Sequence, residues 1–210
     1  MKYCMRLFTI AALGVLIFSC NKREIIPAPE PKVDLKNHFY AKINGSDLEL
    51  TQNVNGFSGT SGVDLIINAS TLDSAVYHSI FESTQTSQKV NIGHGSIVFD
   101  WNASERPTLN AFESFYTSGL NQTPVFSTNG LSGFVFTYTD GAGREWKSGT
   151  LGNVAYSSMA IESDSSGDYA KFKVNFDTEV SYTYYDPVLQ VNVTNTMTVT
   201  DAVYTGWYKR

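Results

Sequence analysis

Cysteine is almost missing from this sequence: Cys4 and Cys20 are the only two, and both precede residue 21. Everything downstream therefore lacks a disulfide, a zinc–thiolate site and a cysteine nucleophile. Histidine is nearly as scarce. His38, His78 and His94 lie far apart and show no H-x-x-x-H spacing, so no metal site is expected. Charge is sparse as well, at 17% of residues, and the acids outnumber the bases by 20 to 15. Local basic pairings such as Lys22-Arg23 are too little to follow a nucleic-acid backbone. No nucleic-acid partner is expected. The motifs of hydrolases and cofactor enzymes are missing too. Gly56-Phe57-Ser58-Gly59 and Gly130-Leu131-Ser132-Gly133 miss the spacing of a G-x-S-x-G elbow and read as loops. No cofactor is implied.

Long apolar runs are missing as well, apart from one at the start. Leu7 to Ile17 is apolar except for Thr9 and Gly14, follows Lys2 and Arg6, and is shorter than the roughly 20 residues a bilayer span needs. It leads into Ile17-Phe18-Ser19-Cys20. This pattern resembles a bacterial lipoprotein signal, in which the cysteine is diacylated and becomes the new N-terminus. The resemblance implies a signal over residues 1–19 and a membrane partner reached through a lipid anchor at Cys20. Losing two cations with the signal takes the formal net charge from −5 to −7. Lys22 and Arg23 would then face the membrane surface, each contributing about 1 kcal/mol near anionic lipid.

Residues 20–36 form a tether in which Pro27, Pro29 and Pro31 favour extended polyproline II. At about 3.1 Å per residue, some 14 residues reach roughly 40 Å. The residue after Cys20 is Asn21, not the Asp of an inner-membrane retention signal, so outer-membrane anchoring is expected. Glu24 is the only acid near the cysteine, which leaves the membrane face open.

A single domain is expected over residues 37–210, long enough to bury a core. Its dominant pattern has period two. Phe39, Ala41 and Ile43 share one face before an Asn44-Gly45 hairpin turn into Leu48-Glu49-Leu50. Residues 53–62 read as a loop, 63–69 as a short strand, and 74–83 as its partner. Phe134, Phe136 and Tyr138 alternate before the turn Asp140-Gly141-Ala142-Gly143. That turn offers too few oxygens for calcium and leads into Arg144-Glu145-Trp146. Ala170, Phe172, Val174 and Phe176 oppose Lys171, Lys173, Asn175 and Asp177 in the cleanest half-buried strand.

One segment breaks the pattern. Phe112, Phe115 and Tyr116 have helical spacing, and Asn110 with Glu113 fits a capping box ahead of Gly119, which predicts a helix over 110–118 that packs its aromatic face on a sheet. Ten or more short strands and one helix imply an all-β, antiparallel β-sandwich, with a closed lipocalin-like barrel as the alternative.

The signal and proline tether, Phe39-Tyr40-Ala41-Lys42-Ile43-Asn44-Gly45, and Gly133 to Trp146 with its Tyr-x-Asp hairpin together resemble small lipoproteins of Bacteroidota with domains of unknown function. The resemblance implies a place and a fold but carries over no catalytic or binding residue.

The candidate ligand contacts come from the residues themselves. Trp101, Trp146, Tyr184 and Tyr185 offer flat faces on which sugar rings stack, with Trp146 and the tyrosine pair expected at a rim. His94 sits between Gly93 and Gly95, where the backbone can approach a ligand closely or simply turn. Asp73-Ser74-Ala75 resembles a short O-glycosylation motif at a predicted turn, with Ser74 as acceptor. The expected function is a non-catalytic binding or scaffolding domain for glycan or an envelope protein. The alternative is a glycan hydrolase using two acids among Glu82, Asp100, Glu105, Glu113, Glu145 and Glu162.

Overall fold

The structure is a computed structural model that describes residues 30–68 and 72–210. The expected signal over residues 1–19, Cys20, Lys22-Arg23 and the prolines Pro27 and Pro29 lie outside the described residues. The compact unit runs from Lys32 to Arg210. Among the described residues nine strands form it: β1 (His38–Ile43), β2 (Ser46–Thr51), β3 (Phe57–Ile66), β4 (Asp73–Ser83), β5 (Lys89–Phe99), β6 (Gly133–Thr139), β7 (Glu145–Asp164), β8 (Gly167–Asp186) and β9 (Val191–Lys209). The helix α1 (Leu109–Thr117) and a 3-10 turn (Gly119–Gln122) sit between β5 and β6.

The all-β antiparallel architecture with one short helix is what the sequence implies. All nine strands belong to one sheet, in the order β2-β1-β9-β8-β7-β6-β5-β4-β3. The sheet curls into a half-barrel with its apolar face inward. Alternation explains that face: Ala170, Phe172, Val174 and Phe176 are buried while Lys173, Asn175 and Asp177 are exposed. In the β1–β2 hairpin Ile43 pairs with Ser46, and Asn44 (φ 48°) and Gly45 (φ 81°) supply the two positive φ values a tight turn needs.

Three strands are far longer than the sequence pattern suggests. β7, β8 and β9 contain 20, 20 and 19 residues. Stretches that read as separate arms are fused through bulges, with register shifts between Ser148 and Gly152, between Tyr156 and Ser158, and between Phe176 and Thr178. The expected loop over 53–62 is a loop only as far as Gly56, and β3 begins at Phe57.

Helix α1 lies against the concave face. Phe112 meets Tyr77 edge-on at 5.0 Å and Tyr116 stacks on Tyr208 at 4.9 Å. The N-cap is Thr108, whose side chain accepts the Ala111 N–H at 3.3 Å, and not Asn110. The cap therefore lies two residues earlier than the capping-box spacing indicates, and the helix covers Leu109–Thr117 where 110–118 was expected.

The curl is fastened where β1 ends. β9 pairs with β1 only as far as Thr205 opposite His38, so the outward N–H groups of its last residues need other acceptors. Side-chain hydroxyls from the far flank supply them. Trp207 N donates to Ser79 Oγ at 3.2 Å, and Lys209 N donates to Ser61 Oγ at 2.9 Å. Ser79 Oγ also lies 2.9 Å from Tyr204 Oη, which accepts from Asn37 Nδ2 at 3.0 Å, and Asn37 Oδ1 accepts the Trp207 indole N–H at 2.9 Å. Gly59 makes room for Asn37, since a Cβ there would lie 1.8 Å from Asn37 Oδ1.

Ser79 is fully buried and serves two groups at this seam. Ser79→Ala is expected to leave the Trp207 N–H unpaired and to lower unfolding stability by about 1–3 kcal/mol. A urea titration with an unchanged midpoint would show that the hydroxyl bridge does not hold the flanks together.

Candidate functional site

His94 stands in the middle of β5, paired with Tyr77 on one side and Phe134 on the other, and its side chain is 1% exposed. The segment is strand and not a turn. Its two glycines serve the packing of the protein on itself. A Cβ on Gly93 would lie 2.6 Å from Val135 Cγ1, and one on Gly95 would lie 2.9 Å from the Gly130 carbonyl oxygen.

The imidazole is held from behind by two phenols. Tyr156 Oη lies 3.0 Å from His94 Nδ1 and 3.0 Å from Tyr208 Oη. Burial raises the pKa of both tyrosines, so each keeps its proton. Two proton arrangements satisfy these distances. If Nδ1–H donated to Tyr156, then Tyr156 would donate to Tyr208, and the Tyr208 O–H would have no acceptor among the described residues. That orphaned buried donor costs about 1–3 kcal/mol. In the other arrangement Tyr208 donates to Tyr156 and Tyr156 donates to Nδ1, so both phenol donors are used and the one donor left over is Nε2–H, on a residue that lines a cavity. His94 is therefore the Nε2–H tautomer. Burial pushes its pKa down to about 3, so the ring is neutral.

Nε2 has no partner among the described residues and is not sealed from solvent. His94 lines a cavity of about 400 Å³, within the range of small-molecule sites. Three chain segments build it. β5 supplies His94, Gly95 and Ser96, the stretch from α1 onward supplies Phe115, Asn121, Thr123, Pro124 and Val125, and the loop before β6 supplies Leu131, Ser132 and Gly133. The Phe115 ring packs on the imidazole at 5.1 Å. Two polar groups are already committed: Ser96 Oγ donates to the Leu131 carbonyl at 2.8 Å, and Asn121 Nδ2 donates to the Phe115 carbonyl at 2.8 Å. None of the lining residues is Asp, Glu, Lys or Arg. The cavity offers dipoles and apolar surface, but no ion.

The aromatic candidates do not gather in one place. Trp146 is 4% exposed and belongs to the core, not to a rim. Its indole N–H donates to Asp140 Oδ2 at 3.1 Å, and the Arg144 guanidinium lies 5.6 Å from its ring. Asp140 also accepts the backbone N–H groups of Ala142 and Arg144. Burial raises the Asp140 pKa, but the hydrogen bonds from Trp146, Arg144 and Ala142 outweigh it and hold the carboxyl below its ordinary range. Tyr182 links Trp146 to Tyr184 through ring contacts of 5.6 and 5.8 Å. Tyr184 and Tyr185 are both exposed, but as neighbours in a strand they face opposite ways. Trp101 follows β5 at its far end, against Phe99.

Ser74 lies in β4, paired with Ile66 on one side and Val98 on the other. The motif opens a strand where a turn was expected. The Asp73 carboxylate accepts the backbone N–H groups of Asn68 and Trp101 at 2.8 and 2.7 Å. Three of the candidate acids are in surface ion pairs: Glu82 with Lys89, Glu145 with Lys147 and Glu162 with Lys171. His38 pairs with Glu49 and His78 with Asp64. Among the described residues no three His, Cys, Asp or Glu side chains gather as a metal ion requires. Among the described residues no helix is long and apolar enough to cross a membrane.

No family model, curated protein or solved structure matches the chain.

The buried imidazole makes stability depend on pH. A histidine in the unfolded chain takes up a proton near its ordinary value of 6.5, whereas folded His94 does so only near 3. Between those values the unfolded state binds a proton that the folded state refuses. The contribution of His94 is therefore complete above about pH 6.5 and is lost as pH falls, by about 1.4 kcal/mol per unit. Urea unfolding between about pH 6 and 5, above the carboxylate range, is expected to show this slope, and His94→Gln is expected to remove it. Parallel profiles for the two proteins would contradict the assignment.

Proposed function

We propose that this chain is an envelope lipoprotein, held at the outer membrane by lipid on Cys20, whose β-domain binds neutral glycan without transforming it. The observation that carries the glycan reading is the cavity in front of His94. A neutral polyhydroxylated ligand asks for hydroxyl and amide partners, a flat apolar face and little net charge, and this lining has all three. Ser132, Thr123 and Asn121 are its neutral polar groups, and the Phe115 ring is its aromatic wall. Glycoside hydrolysis needs two carboxyl groups flanking the bond. The lining residues of this cavity provide no carboxyl group, so binding is the chemistry it supports.

The export pattern supports the location. Lys2 and Arg6, the short apolar run and Ser19-Cys20 give the chain a route out and a point of attachment, and the prolines that follow give it reach.

A glycan array followed by titration calorimetry tests the binding. Neutral saccharides are expected to bind, and Phe115→Ala is expected to weaken them about ten-fold, or about 1.4 kcal/mol. Binding confined to acidic glycans, or none above a heat-denatured control, would overturn the reading. The anchor is tested separately: labelled palmitate is expected on the protein and not on Cys20→Ala, and equal labelling of both would remove it.

A further inference from the structure

We infer that the glycan taken by the His94 cavity carries an acetamido group, recognised by the His94 Nε2–H as donor and by Asn121 Oδ1 as acceptor. This rests on reading the cavity as a neutral-glycan site. Hydroxyl groups in a ligand both donate and accept, and the rotatable hydroxyls of Ser132 and Thr123 suit them. His94 and Asn121 are different because neither can change role. The Tyr208–Tyr156–Nδ1 chain uses up the other imidazole nitrogen, so the nitrogen left over is a donor only. Asn121 is fixed in a comparable way. Its amide nitrogen is committed to the Phe115 carbonyl, which can only accept, so its oxygen is the atom that remains.

A fixed donor and a fixed acceptor lining one cavity are the complement of a secondary amide, whose C=O accepts and whose N–H donates. The remaining wall fits the methyl that completes an acetamide. Val125 and Leu131 are exposed aliphatic side chains on this cavity, with Pro124 beside them. A site built this way discriminates strongly against an analogue that lacks the amide, because the buried donor is then left unpaired.

The test compares three disaccharides of one linkage by calorimetry: the N-acetylglucosamine dimer, its de-N-acetylated form and cellobiose. The acetylated dimer is expected to bind at least about ten-fold tighter than either of the others. Asn121→Ala and Tyr156→Phe are each expected to reduce that preference more than they reduce cellobiose binding. Heteronuclear NMR of the imidazole nitrogens in the unliganded protein gives a reading independent of ligand and of either variant, and the proton is expected on Nε2. If cellobiose binds as well as the acetylated dimer, the inference fails and the neutral-glycan reading stands. If none of the three binds, both fail. A proton on Nδ1 would overturn the inference by itself.

Discussion

Two backbone N–H groups, those of Trp207 and Lys209, set the shape of this domain. They extend past the end of β1, and nothing in the neighbouring ladder reaches them. Trp207 is buried, and leaving its N–H unpaired would cost about 1–3 kcal/mol, whereas Lys209 is exposed. The hydroxyls of Ser79 and Ser61 satisfy them, and those residues lie on β4 and β3, at the opposite flank of the same sheet. A flat sheet could not bring these groups together, so meeting the requirement imposes the curl. The small residues on both sides of the seam follow from the same closeness. Gly59 faces Asn37, and a Cβ on Gly206 would lie 2.6 Å from Ser79 Oγ.

The curl in turn creates the candidate site. His94, Tyr156 and Tyr208 come from β5, β7 and β9, which are separated in the sheet by β6 and β8. Their polar ends meet because the sheet wraps around the space they share. Helix α1 closes that space, with Tyr116 stacked on Tyr208 and its hydroxyl directed at the His94 carbonyl at 3.4 Å. The aromatic packing gives the chain of hydroxyls a rigid frame, since Phe172 also stacks on Tyr208 at 4.4 Å. Fixing the imidazole therefore depends on contacts from three strands and one helix. Anything that opens the seam loosens the donor as well.

How far the sequence reveals this depends on whether the signal is local. The alternation from Ala170 to Phe176 and the Asn44-Gly45 turn are local, and both lead to the observed elements. The Gly- and Ser-rich stretch before Val63 reads as loop, yet Gly59 and Gly62 lie within β3, and at Gly59 the missing side chain allows the close approach of Asn37. Trp146 follows two charged residues and reads as a rim residue. It is buried because the Asp140 carboxylate, six residues earlier, meets its indole N–H. The cavity has no local signature at all. Its lining is drawn from residues 94–96, 115–125 and 131–133, and Gly130-Leu131-Ser132-Gly133, a failed nucleophile elbow in the sequence, contributes three members. His94 attracts attention because of its flanking glycines, but the glycines act on Val135, His78 and Gly130, and the side chain acts on the cavity.

Burial of His94 has two consequences that differ in kind. In the unfolded chain the imidazole is free to take up a proton as pH falls, so the folded state loses stability relative to it. Within the folded state the same burial keeps the ring neutral down to about pH 3. The Nε2–H that faces the cavity is then the same donor, with the same charge, across the whole range in which an exposed histidine would titrate. A serine or threonine hydroxyl could also donate there, but it would rotate, and its freedom would be lost on binding. The phenol chain removes that freedom in advance, so the ordering cost falls on folding and not on the ligand. That is the arrangement the proposed recognition of an amide acceptor would require. It also accounts for placing a titratable ring, two tyrosine hydroxyls and an aromatic helix face in a core that could have been filled with aliphatic side chains.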